Sequence, residues 1–77
     1  MKNIVVTYDA MVIEDGEKIT GETCMIVSVS DKIAKNLVVH GQSGVAEREI
    51  EKALEPLEQL KGRTYIRGSI KHYAYAE

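Results

Sequence analysis

Basic and aromatic side chains alternate with small and aliphatic ones near the C-terminal end of this 77-residue chain. Arg63, Tyr65, Arg67, Ser69, Lys71, Tyr73 and Tyr75 fall on one set of alternate positions. Thr64, Ile66, Gly68, Ile70, His72 and Ala74 fall on the other. A period of two is that of a strand, whose successive side chains point to opposite faces. One face of that strand then carries three of the four tyrosines beside three basic residues. Tyr and Arg are enriched at the energetic centres of protein interfaces, and interleaved basic and aromatic groups also suit stacking of single-stranded nucleic acid. Tyr65, Arg67, Lys71, Tyr73 and Tyr75 are therefore the first candidates for partner binding. The competing reading is structural, because Tyr favours strands and Lys and Arg protect sheet edges.

Four carboxylates form a second candidate. Glu47, Glu51, Glu55 and Glu58 recur at helical spacing and line one helix face. Like charges one turn apart mildly destabilise a helix, so the row does not serve helix stability. It reads either as a solvated face or as a docking ridge for a basic partner.

The groups suited to bond-making chemistry are sparse. Cys24, His40 and Asp9 are the only ingredients of a thiol site, and no local motif surrounds Cys24, which reads as a small apolar residue. His40 and His72 lie far apart with no Cys/His cluster around them, so no metal or other cofactor is expected. Asp9 and Glu22 face each other in the strand pairing derived below. Like charges directly opposite repel, and a cation or a partner's basic group would relieve them.

The segment Gly41-Gln42-Ser43-Gly44 precedes a helical pattern and offers free N–H groups to an anion. It is similar in form to the G-x-x-G loop between two helices of KH nucleic-acid-binding domains. It departs from that pattern at Gln42 and Ser43, where such loops carry basic residues, and in the acidic helix that follows. It reads as an inter-helix turn, with Ser43 able to cap the next helix.

The elements that must position these groups follow from turn chemistry and periodicity. Asp15-Gly16 between two runs rich in Val, Ile, Thr and Met predicts a hairpin. With these two residues at the centre of the turn, Glu14 faces Glu17, Val12 faces Ile19, Tyr8 faces Thr23, Val6 faces Met25 and Ile4 faces Val27. One face then reads Ile4, Val6, Tyr8, Ala10, Val12, Ile19, Met25, Val27 and Val29. The other is polar, with Val5, Met11, Ile13, Cys24 and Ile26 mixed in. A slip of one residue would exchange the faces. Ser30-Asp31 starts a short helix through Ile33, Ala34, Leu37 and Val38, although residues 36–40 also fit a strand. Ala46, Ile50, Ala53, Leu57 and Leu60, widened by Leu54, form the apolar stripe of a second helix. The spacing predicts a helix over about 44–54, a kink at Pro56, and an end at Gly62. The last strand runs on from Arg63, with its aliphatic set under the helices.

The bulk composition bounds the rest. Seventy-seven residues make one domain. Phe and Trp are absent, so the core is aliphatic with Tyr as its only aromatic. Net charge is −2, residues 63–77 being the only basic segment. The single cysteine excludes an internal disulfide, no apolar run reaches the ~20 residues of a membrane span, and no signal peptide is evident, so a cytoplasmic location is expected. These readings combine into an α+β domain over residues 1–77. A small antiparallel-rich sheet in the order β-β-α-α-β carries helices on one face. The expected role is that of a non-enzymatic protein-binding module, a homodimer, adaptor or inhibitor of the kind found among phage or mobile-element accessory proteins, acting through the open sheet face. The alternative is single-stranded nucleic acid or RNA bound along the Arg/Tyr strand.

Overall fold

A computed structural model describes residues 1–41 and 44–76. Strands β1 (Lys2–Glu14) and β2 (Glu17–Val29) form a long hairpin, helices α1 (Asp31–Val38) and α2 (Val45–Leu60) follow, and the chain ends in two short strands, β3 (Thr64–Tyr65) and β4 (His72–Tyr75). The sheet is antiparallel and β1 is its centre. β2 lies on one side of it, and β3 and β4 lie end to end on the other. This is the expected α+β fold.

The hairpin turn explains the register. Asp15 (φ 51°) and Gly16 (φ 79°) both occupy the left-handed region, the requirement of a two-residue type I′ turn, whose twist matches that of the flanking strands. Val6 consequently pairs with Met25, Asp9 with Glu22 and Ile4 with Val27, as the sequence predicts. Ile4, Val6 and Tyr8 are fully buried, and Ala10, Val27 and Val29 nearly so. Both helices cover this face.

Ser30 caps α1, its Oγ accepting from the Ile33 N–H at 3.2 Å, and Ala34 and Leu37 anchor the helix to the core. The helix ends at Val38, so the strand alternative for residues 36–40 does not form. The proposed cap Ser43, with Gln42, lies outside the described residues; the residue at the helix boundary is Gly44.

α2 departs from expectation in two ways. It runs unbroken through Pro56 to Leu60, because Pro56 sits on the exposed side while Ile50, Leu54 and Glu58 hold both halves of the helix against the sheet. Its buried stripe is also rotated: Leu57 is 37% exposed and Leu60 84%, whereas Glu58 is fully buried. The end itself is as expected. Gly62 (φ 73°) follows the last turn, Arg63 N–H donates to Glu58 O, and Gly62 N–H donates to Gln59 O. This is a Schellman motif, and it folds Arg63 back over Glu58.

The last strand is interrupted. Tyr65 pairs with Ala10 and His72 with Thr7, so residues 66–71 make an excursion between two short ladders. Ser69 closes the gap: its Oγ accepts from the Asp9 N–H at 3.0 Å and lies 3.1 Å from Asp9 O and 2.5 Å from Ile66 O. Gly68 (φ 79°) supplies the left-handed turn within it.

Candidate interaction surface

The faces of the last strand are the reverse of those expected. Tyr65, Tyr73 and Tyr75 stand opposite Ala10, Val6 and Ile4 on the helix-covered side, and His72 and Ala74 stand on the open side. Tyr65 is 6% exposed, its ring meeting that of Tyr8 edge-on at 5.6 Å between centroids. Tyr73 is half-buried, and Tyr75, at the end of the sheet, is exposed. The physical reason is that a tyrosine in a core needs a partner for its hydroxyl, and the glutamate row of α2 supplies one to each inner ring.

The two candidate surfaces of the sequence therefore meet and satisfy each other. Tyr73 donates to Glu47 at 3.3 Å, Tyr65 to Glu51 at 2.5 Å, and Tyr8 to Glu58. Arg63 Nε and Nη2 donate to the two oxygens of Glu58 at 2.6 and 2.9 Å, and Arg67 lies 3.9 Å from Glu55. Burial alone pushes the Glu58 carboxyl up, but the hydrogen bonds from Arg63 and Tyr8 outweigh it, and the group is held below the usual carboxylate range. For Tyr8 and Tyr65, burial first and the facing carboxylate second push the phenol well above its ordinary value. Tyr73 is raised by burial and by the nearby Glu47. All buried side-chain polar atoms among the described residues are hydrogen-bonded.

Lys71 is the member of the original set that reaches the open face. Its Nζ lies 2.9 Å from Asp9 Oδ1 and 3.2 Å from Glu22 Oε2. The facing carboxylates thus take their cation from within the chain, and those two bonds raise the lysine's pKa, Asp9 contributing more than Glu22.

Around this triad the open face is built in rows across three strands. Ala74, Val5 and Ile26 form an apolar row; His72, Thr7 and Cys24 form the next; Thr64, Met11 and Thr20 lie beyond the charged one. Ile26 is 61% exposed and Ile13 65%, and Cys24 is exposed as well. Both helices pack on the opposite side of the sheet, so nothing in the described fold covers these residues. Among the described residues no helix is long and apolar enough to cross a membrane.

Neither a protein-family model nor a curated protein nor a solved structure matches this chain.

Proposed function

We propose that this chain is a protein-binding module that acts through the open face of its sheet. The observation that carries the reading is the uncovered apolar row Ala74–Val5–Ile26, on the side of the sheet opposite both helices, with Met11 and Ile13 on the same face beyond the charged row. Contiguous exposed apolar groups with a polar margin are a common property of interaction sites. Beside the row Lys71 bridges Asp9 and Glu22 and offsets one of their two charges, so a partner meets a single net negative charge at the polar margin. Of the basic and aromatic residues of the last strand, Lys71 contributes to this surface. Tyr65, Tyr73, Arg67 and the glutamates Glu47, Glu51 and Glu55 act as its framework.

The same bonds favour protein over nucleic acid. Base stacking requires free ring faces, and Tyr65 and Tyr73 turn theirs to the core side. Arg63 and Arg67 already face carboxylates, and a net charge of −2 opposes a phosphate backbone.

The experiment is affinity capture from the source cells with the wild-type chain and with Ile26→Asp. A partner held by the first and lost by the second, with the melting transition retained, supports the reading. Equal recovery by both refutes it. Oligonucleotide binding that falls steeply with salt would instead favour the nucleic-acid alternative.

A further inference from the structure

β2 ends the sheet on one side, and its free edge runs through thirteen residues with no proline to blunt it. The turn fixes which peptide groups point outward. Glu14 and Glu17 flank a type I′ turn and are a hydrogen-bonded pair, so the odd-numbered residues of β2 bond to β1. The even-numbered residues, Lys18, Thr20, Glu22, Cys24, Ile26 and Ser28, direct their N–H and C=O groups to the open edge. The opposite side of β1 agrees with this phase: Asn3, Thr7 and Asp9 bond to the chain beyond it.

The distal half of this edge is self-complementary. Residues Glu17–Glu22 are all exposed, forming an arm that projects from the body and stretches the molecule to 42 × 20 × 19 Å. On the inner face of the arm, Ile19 is 44% exposed. Two residues along is Gly21, where an added Cβ would meet nothing within 4 Å. A groove of about 210 Å³ opens there, bordered by Ala10, Val12, Thr23 and Arg63. On the outer face, Lys18 has no ion-pair partner among the described residues, and Glu22 is 60% exposed on its side chain.

We infer that two copies of this chain associate by antiparallel pairing of their β2 edges about a two-fold axis through Thr20. This register places Lys18 opposite Glu22 of the second copy, twice by symmetry, and Thr20 opposite its equivalent. It also places Ile19 opposite Gly21 of the second copy at a non-hydrogen-bonded pair, where facing side chains come closest. Ile19 then fills the groove left by the missing side chain. A shift to an axis through Glu22 would set two glutamates against each other, which is unfavourable. Overlap of residues 17–23 extends about 24 Å at ~3.4 Å per residue and makes about six new backbone hydrogen bonds. Such an interface is at the small end for stable complexes, so the dimer forms with rising concentration. Each body lies past the tip of the other's arm, and the open faces of the two sheets become continuous.

Sedimentation over a concentration series tests this with Lys18→Glu and Glu22→Lys. Each change sets like charges opposite at both symmetric positions, and each variant alone is expected to weaken self-association roughly tenfold or more. An equimolar mixture of the two restores a dimer, since every cross-pair is then Lys against Glu. Thr20→Pro adds a second arm: the N–H it removes points to the open edge and serves no bond within the hairpin, so the melt survives while the dimer is lost. A wild-type chain that stays monomeric to millimolar concentration overturns the inference. So does a dimer indifferent to all three changes, or a mixture with no gain. Ile26→Asp separates this inference from the open-face reading: it removes partner capture and leaves the arm-paired dimer intact. If instead it abolishes self-association while Lys18→Glu does not, self-association belongs to the open face and the edge pairing is wrong.

Discussion

The hydroxyl of Tyr8, in the middle of the central strand, donates to Glu58, two residues from the end of α2 in position but fully enclosed between helix and sheet. Glu58 also receives two bonds from Arg63, and the Schellman turn at Gly62 is what brings that arginine back. Strand, helix and last-strand entry therefore share one carboxylate. Removing the cation that balances it leaves a buried charge with only the phenol as a partner. Such losses are strongly destabilising. Because Arg63 keeps 27% side-chain exposure, water can reach part of the site in its absence. Arg63→Ala is expected to cost about 3 kcal/mol in urea-monitored unfolding, toward the lower end of the range for broken buried pairs. A loss under about 1 kcal/mol, as for an exposed pair, would show that the carboxylate is solvated.

The same carboxylate gives the domain an acid limit. Its folded pKa lies below the ordinary value of 4.5. The stability that Glu58 contributes is therefore complete above that value and is lost as pH falls through the depressed one. Wild-type stability is expected to drop below about pH 4.5, and Glu58→Gln, less stable at neutral pH, should show a flatter profile there. Parallel acid profiles for the two proteins, followed by circular dichroism, would remove Glu58 from the acid transition.

At the alkaline end the sign reverses. Tyr8, Tyr65 and Tyr73 all have folded pKa values above the ordinary 10.0. Their contribution is complete below pH 10 and is lost as pH rises from there through the folded values. Unfolding above pH 10 should then coincide with ionisation of these phenols in one cooperative step. Tyrosinate absorbance and circular dichroism recorded on the same samples would give one midpoint. Ionisation of all the tyrosines well ahead of unfolding would contradict the sealed arrangement of rings and glutamates.

Lys71 links β4's approach to both strands of the hairpin. In Lys71→Met, Asp9 and Glu22 face each other without a cation. The melting temperature is expected to fall at neutral pH and to recover in part, relative to wild type, at high salt, which screens the repulsion between the two carboxylates. A wild-type melting temperature at pH 7 would mean that the two carboxylates are separated by solvent.

Val6 and Ile50 test the core itself. Both are fully buried, one on the central strand and one on α2. Val6→Asp buries an unpaired charge and should leave the chain unfolded. Ile50→Ala should cost about 2–5 kcal/mol by denaturant unfolding, the range for truncating an enclosed aliphatic chain. A folded Val6→Asp would invalidate the hairpin register.

The hairpin was legible in the sequence because two independent signals, the Asp15-Gly16 turn and the alternation on either side, agree on one register. α1 was legible because Ser30 and the Ala34/Leu37 spacing agree in the same way. The faces of the last strand are not legible in the same way, because its alternation reads as one uninterrupted period with the polar members outward. Tyrosine is apolar over most of its surface and needs only one acceptor, and that acceptor lies in a different element. The glutamate row carried the same ambiguity. Judged within its own helix, Glu58 reads as solvated and Leu57 as core, while in the fold Tyr8 and Arg63 reverse that choice. Repulsive spacing along α2 was the available sign that those carboxylates answer to something outside the helix.

The excursion at residues 66–71 has a consequence for how this chain can vary in length. From Tyr65 to His72 the last strand advances seven positions while β1 goes back three, from Ala10 to Thr7. The surplus is even, so β4 re-enters the sheet in phase with β3, and Tyr73 and Tyr75 fall on the same side as Tyr65. Lengthening or shortening this stretch by two residues keeps that phase. A change of one would turn His72 and Ala74 inward and present Tyr73 and Tyr75 to the outside, leaving Glu47 without its phenol. The excursion thus acts as a parity element. Related chains that keep the tyrosines inside are expected to differ here in steps of two, with Ser69 or another small hydroxyl residue still closing the gap beside Asp9.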